Sequence, residues 1–383
     1  MTIENSNPQD SIAIVRGEMA PDMPPPVRTD GIVVWLRNNL FNSVGNSILT
    51  ILSVLMIYYA MSGLISYVFT TAIWQGTSGS DCRVEGSGVC WPYIVNRLDF
   101  FIYGFYPDTE YWRPNIAFGI GAFLLFLLAT PRIPGKMLWG FLFLIVYPFV
   151  TFFLINGGGF TGLLEVPTEK WGGLMLTLIV AVTGIVASFP LGVLLALGRR
   201  SKMPLLRSVC VVFIELWRGV PLITVLFMAS VMLPLFLPEG TNFDKLVRAL
   251  FGVTLFTAAY TAEVVRGGLQ AIDKGQYEAA DALGLNYVQA TTFIILPQAL
   301  KMVIPGIVNN SISLFKDTTL VSIVGLVDLL GSVRAGSATE GWTAPSIPIT
   351  GYFFAAAVFW VFTFAMSRYS QYMERRLDTG HKS

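Results

Sequence analysis

Apolar residues along this chain gather into runs long enough to cross a hydrocarbon layer, separated by short polar segments. A helix is the form such a run must take, because lipid offers no partner to an unpaired backbone amide or carbonyl. Eight spans are predicted, near residues 46–70, 115–130, 137–155, 173–197, 206–236, 246–265, 300–328 and 350–367. The fifth is long and interrupted by Gly219 and Pro221, so it reads either as one broken helix or as two half-spans. The expected fold is all-α, a polytopic membrane protein of about eight transmembrane helices.

Lys and Arg resist translocation, and they collect in alternate loops. Arg28 and Arg37 precede the first span; Arg132 and Lys136 join the second to the third; Arg199, Arg200, Lys202 and Arg207 join the fourth to the fifth. Arg266, Lys274 and Lys301 follow the sixth, and Arg368, Arg375, Arg376 and Lys382 follow the eighth. With eight spans these clusters share one side, which predicts that both termini lie in the cytoplasm. The opposite side receives the loop 71–114 and the segments 156–172, 237–245 and 329–349. Cys82 and Cys90 lie in that long Gly/Ser-rich loop, where a loop-closing disulfide and two free thiols both fit. Trp74, Trp112, Trp171 and Trp342 fall near span ends, as rings favouring the headgroup zone do, although packing explains them equally. Acids and the run Pro24, Pro25, Pro26, without an apolar centre, make the start of the chain a cytoplasmic lead-in and not a secretory signal. A glycine-rich break at 156–172 divides the rest. The expected parts are a cytoplasmic segment 1–42, an accessory transmembrane region 43–165, a transport core 166–372 and a cytoplasmic tail 373–383.

Composition narrows the chemistry. The chain is 54% hydrophobic and 13% charged, against about a quarter charged in a soluble domain, and its net charge of +1 offers no nucleic-acid surface. Its only histidine is His381, in the polar tail, so histidine catalysis is excluded and neither a metal site nor a catalytic constellation is expected. No G-x-x-x-x-G-K-[ST] phosphate loop occurs, so the chain has no means of hydrolysing ATP by itself and needs no cofactor of its own.

The most informative polar stretch is Glu263 to Pro297, between the sixth and seventh spans. Asp273 with Gln276, and Asn286 with Gln289, each have the spacing of a capping box. Two short helices follow from this, with Gly284 at the turn between them and Pro297 closing the second. Such a hairpin presents Glu278, Ala279 and Ala280, with Leu283 and Leu285 beside the turn, as a knob for a partner's groove.

Glu278-Ala279-Ala280, Gly284, Ile294, Leu296 and Pro297 resemble, at full spacing, the signature loop of permeases in binding-protein-dependent ABC importers. Tyr260, Glu263, Arg266-Gly267-Gly268, Lys274-Gly275-Gln276, Arg218-Gly219-Val220-Pro221-Leu222 and Lys316 to Ser322 are similar to the polar amino acid (histidine/glutamine) branch. Val220 and Thr319 depart mildly, standing where threonine and serine are expected. The likeness covers about residues 170 to 375, and the extra N-terminal spans resemble the M-type permease of general L-amino acid transporters. This resemblance implies a type I ABC importer permease core with a coupling loop at 266–299. It also implies a second homologous permease, two copies of a cytoplasmic ATP-binding subunit holding ATP and Mg, a periplasmic amino-acid-binding protein and surrounding membrane lipid.

Ionisable groups within spans cost about 2.5 to 3.5 kcal/mol each on insertion scales, so they face partners or water. Glu215 and Arg218, three apart, are expected to pair with each other. Asn309, Ser313, Lys316 and Asp317 can line one stripe of the seventh span near mid-membrane depth. A zwitterionic substrate needs a cation for its carboxylate and an acid for its ammonium, which Arg218 or Lys316 and Asp317 or Glu215 can supply. These charges also suit a purely structural role, neutralising one another. Glu263 and Arg266 are expected to fix a helix end. The alternative to an importer subunit is an ion-coupled secondary amino acid transporter acting alone; a membrane enzyme or scaffold has no residue constellation in its favour.

Overall fold

The structure is a computed structural model that describes residues 31–377 other than 131, 160, 237 and 239–242. The lead-in prolines, Arg28, Lys382 and His381 lie outside the described residues. Two compact units divide at Ser66. In the first, α1 (Ile32–Asn39) precedes α2 (Val44–Ile65), whose N-terminus is capped by the Ser43 hydroxyl accepting from the Asn46 amide at 3.2 Å. No side chain of α2 is buried within the chain, as befits an apolar helix that spans lipid. With the π-helical turn that continues it, this first span runs Val44–Thr70.

The second unit begins with two short helices, α3 (Trp91–Asn96) and α4 (Leu98–Tyr103), then α5 (Trp112–Ala129), α6 (Lys136–Phe141) and α7 (Tyr147–Asn156). Next come α8 (Gly173–Arg199), α9 (Pro204–Gly219), α10 (Leu222–Phe227) and α11 (Lys245–Ala271). The remainder is α12 (Lys274–Ala282), α13 (Tyr287–Ala290), α14 (Leu296–Asp317), α15 (Leu329–Ser337) and α16 (Ser346–Leu377). Among the described residues six helices are long and apolar enough to cross a membrane, or seven if the pair α9 and Leu222–Phe236 forms one span. That pair is bent by 103° at Gly219–Pro221, where proline has no amide to donate and the helical ladder stops. The expected span not among these is the sixth, 246–265, which is α11. It has 27 residues, but Lys245, Arg248, Glu263 and Arg266 make it more polar than the others, and its burial inside the bundle makes that tolerable.

Helix α11 is the axis of the second unit: α8 lies along it, and α14, α9 and α10 pack around it. Val253 of α11 and Leu314 of α14 both close over Gly184 of α8, while Val264 covers Gly306, so α11 and α14 run antiparallel. One core cluster surrounds Met175, Leu176, Val180, Leu226, Leu246, Ala249 and Val253, and a second surrounds Ile214, Ala262, Val265, Leu269 and Ile295.

A third cluster forms at the end of the bundle where α8 begins. Cys82 and Cys90 are bridged there, and with Tyr93, Ile94 and Phe101 they pack on Leu329, Val333, Trp342, Ile347 and Ala355 of the α15–α16 region. Hydrogen bonds hold the same contact: the Gly79 amide to the Gly341 carbonyl (2.6 Å), Arg83 to the Thr343 carbonyl (2.8 Å), and the Cys90 amide to the Thr350 hydroxyl (3.0 Å). The Tyr93 hydroxyl also donates to the Val333 carbonyl at 3.1 Å. Gly104, at φ +68°, is required beside the start of α8, since a Cβ there would lie 2.4 Å from the Gly172 Cα. Asp81 closes its own turn; amides of Thr77 and Ser78 hold its carboxyl below the usual range. Trp171 and Trp342 are buried packing groups, whereas Trp74 and Trp112 are exposed.

Candidate functional site

At the far end of α8, about 40 Å away by helix rise, stands the hairpin built by α12 and α13. Asp273 caps α12 by accepting from the Gly275 amide at 2.6 Å. The expected reciprocal bond from Gln276 is not made: its side chain accepts instead from Gln298 of α14 at 3.0 Å, fastening the hairpin's first limb to that helix. The second box forms as expected, the Gln289 amide donating to Asn286 at 2.9 Å and the Asn286 amide to Gln289 at 3.0 Å. Between them α12 ends in a Schellman turn. The Gly284 amide bonds the Asp281 carbonyl, the Leu285 amide bonds the Ala280 carbonyl, and Gly284 takes φ +71°.

Pro297 does not close the second limb. Helix α13 passes through a π-helical turn, Thr291–Ile295, directly into α14, and Pro297 sits two residues past that turn without ending the helix. The hairpin and the seventh expected span are therefore one continuous helical run, Tyr287–Val324. Glu278, Ala279 and Gly284 are exposed and Leu285 is half-buried. Ala280 faces inward and is fully buried, a correction to its expected place on the exposed knob, because it packs beneath the turn it helps to close. Sequence reasoning missed Tyr287, Val288 and Phe293, which join Leu283 in an apolar surface with each residue at least 67% exposed. The spacing of Leu283, Tyr287 and Val288 across the glycine turn was the available signal.

Between hairpin and bundle lies a charge cluster. The Glu263 carboxylate receives Arg199 at 2.6 Å and Arg266 at 2.7 Å, and Arg218 approaches it at 3.6 Å. Glu215 pairs with Arg199 at 2.9 Å, so the expected Glu215–Arg218 pair is not formed; both residues turn toward groups on α8 and α11 that the sequence spacing could not reveal. Arg218 also lies over the Tyr260 ring, 5.7 Å from its centroid. Arg200 bonds the Leu269 carbonyl and covers the Tyr277 ring of the hairpin at 5.8 Å, linking the cluster to α12.

The polar stripe of α14 starts about 5 Å by helix rise beyond Gly306, which Val264 covers, and runs away from the cluster. Asn309, Ser313 and Lys316 share an exposed face of the helix with Met302, and Asp317 is half-buried beside them. Ten residues of α11 separate Glu263 from Val253, the neighbour of Leu314, which puts Lys316 about 15 Å along the bundle from Glu263. The six residues expected to line a pathway are thus spread along the bundle: Glu215 and Arg218 lie beside Glu263, Asp317 and Lys316 lie toward the disulfide end, and Asn309, about 5 Å by helix rise from Gly306 under Val264, begins the stripe that joins them. No group of His, Cys, Asp and Glu among the described residues is arranged to hold a metal ion.

The family model for the binding-protein-dependent transport system inner membrane component matches residues 188–379, which take in α9 to α16 and hence both the hairpin and the stripe. The inner membrane amino-acid ABC transporter permease protein YhdY of Escherichia coli is 49% identical over 94% of this chain and 97% of its own. The glutamate/glutamine/aspartate/asparagine transport system permease protein BztC of Rhodobacter capsulatus is 40% identical over 97% of this chain and 99% of its own. A solved structure of an amino acid ABC transporter with histidines is 29% identical, at a TM-score of 0.47, over 53% of this chain and 92% of that one. Matched over most of its length and carrying the family's helical core, the chain belongs to the binding-protein-dependent transport system inner membrane components.

Proposed function

We propose that this permease forms half of a pathway for L-amino acids across the bacterial inner membrane, pairing with a second permease of the same kind. Two copies of an ATP-binding subunit, holding ATP and Mg, drive it through the α12–α13 hairpin, and a soluble amino-acid-binding protein delivers substrate at the disulfide end. The observation that carries this reading is the single helical run that joins the exposed hairpin to the uncovered polar stripe of α14. A polar stripe facing lipid is costly, so Asn309, Ser313, Lys316 and Asp317 are best accommodated along a water-filled path closed by a partner. Relatives named for amino-acid transport support the substrate class. The Cys82–Cys90 bridge supports a periplasmic disulfide end, since disulfides persist in oxidising compartments, and the hairpin with both termini then faces the cytoplasm.

On this reading Glu278, Ala279, Gly284, Leu283 and Leu285 meet the ATPase, and buried Ala280 shapes the turn that presents them. ATPase closure moves the hairpin, the bundle alternates its access, and the amino acid leaves on the cytoplasmic side. The test is uptake and ATP hydrolysis by the complete complex in liposomes. Glu278→Ala combined with Gly284→Val is expected to leave the chain in the membrane while hydrolysis no longer drives uptake; normal coupled uptake by this variant refutes the role of the hairpin.

A further inference from the structure

Glu263 stands at the level of Gly306, about 5 Å by helix rise from Asn309 at the near end of the α14 stripe, and it gathers more charged partners than any other carboxylate among the described residues. Three guanidinium groups, Arg199, Arg218 and Arg266, face two carboxylates, Glu263 and Glu215, which leaves one positive charge in excess. The distances say which arginine carries it. Arg199 and Arg266 are hydrogen-bonded to Glu263, whereas Arg218 stands off at 3.6 Å, is 35% exposed, and has the Tyr260 ring as its other contact. Arg218 is also the residue before the 103° bend at Gly219–Pro221. The firmly held pair has the opposite connection. Arg199 ends α8 beside Arg200, which covers Tyr277 of the hairpin, and Arg266 lies on α11, whose C-terminus leads into α12.

We propose that Glu263 is a positioning residue that converts hairpin movement into the placement of Arg218. Its carboxylate divides between two arginines fixed to the hairpin's supports and one free at the bend. A displacement of α12 that draws Arg199 away, through Arg200 and its contact with Tyr277, strengthens the hold of Glu263 on Arg218 while Arg266 stays paired on its own helix; the reverse displacement releases Arg218 to the carboxylate of a passing amino acid. This rests on the pathway reading above and adds a residue to it.

The test uses the complete transporter in liposomes, with the wild type compared with Glu263→Gln and Glu263→Asp. Amino acid uptake, ATP hydrolysis and subunit co-purification are measured together. Glu263→Gln is expected to co-purify with its partners and to consume at least about tenfold more ATP per amino acid taken up. Glu263→Asp, which keeps the charge, is expected to recover most of the coupling. An unchanged ratio in Glu263→Gln overturns the proposal, as does a parallel loss of assembly, hydrolysis and uptake in both variants, which is the mark of a merely structural group. If wild-type uptake proves independent of ATP, the pathway reading falls and this inference with it.

Discussion

The two ends of the second unit are held together by different forces. At the disulfide end a covalent bridge, a buried aromatic cluster and backbone-directed hydrogen bonds tie residues 67–104 to α15 and α16. At the hairpin end an apolar cluster around Val265, Leu269 and Ile295 receives Tyr277, but no covalent bridge is present among the described residues; two glutamines, an arginine over a tyrosine ring and a shared carboxylate complete the contact, and large apolar side chains stand uncovered. Covalent and close-packed contacts have one good arrangement and resist displacement. Charge-assisted contacts between partly exposed groups have several arrangements of similar energy, so they permit motion. The contacts at the first end resist displacement, and more of those at the second tolerate it.

Substitutions can break or sharpen this contrast, and the largest effect is expected at the disulfide end. Phe101→Ala empties a fully buried site in that cluster and should cost about 3 to 5 kcal/mol, seen as a lower midpoint of thermal unfolding in detergent. An unchanged midpoint would mean that the cluster is not the anchor its packing suggests. Cys82→Ser opens a bridge between residues eight apart and should cost about 2 to 3 kcal/mol; reductant applied to the wild type should reproduce the shift, and proteolysis of the 71–114 loop should report it. Gly284→Ala forces a side chain into a left-handed turn at about 1 to 2 kcal/mol. Its unfolding midpoint should move little while uptake driven by ATP falls severalfold, and equal losses in both would erase the distinction between the ends. Smallest is Gln289→Ala, which removes half of the capping box for about 0.5 to 1 kcal/mol, detectable as faster amide exchange in the α13 turn.

Much of the fold was readable from the sequence because lipid leaves a helix so few options. The breaker Gly219–Pro221 marked the bend, and Gly284 marked the turn, since each departs from the helical ladder by its own backbone chemistry. Contacts between distant residues were not readable. Glu215 and Arg218 have the spacing of a pair, but Arg199 of α8 and Glu263 of α11 arrive from elsewhere in the bundle and take both. Gln276 has the spacing of a cap, yet Gln298 of α14 claims its side chain. Pro297 is a stop signal in isolation; the π-helical turn before it changes the bond pattern so that the helix runs through. The knob was legible in outline, with its turn and its acid, while the inward face of Ala280 depended on what lay beneath it.

The passage from α13 to α14 has a mechanical consequence. A loop at that joint would absorb a push as slack, whereas a continuous helical run passes displacement on to Asn309, Ser313 and Lys316, with the π-helical turn and Pro305 as the two points where its bond ladder is altered and it yields first.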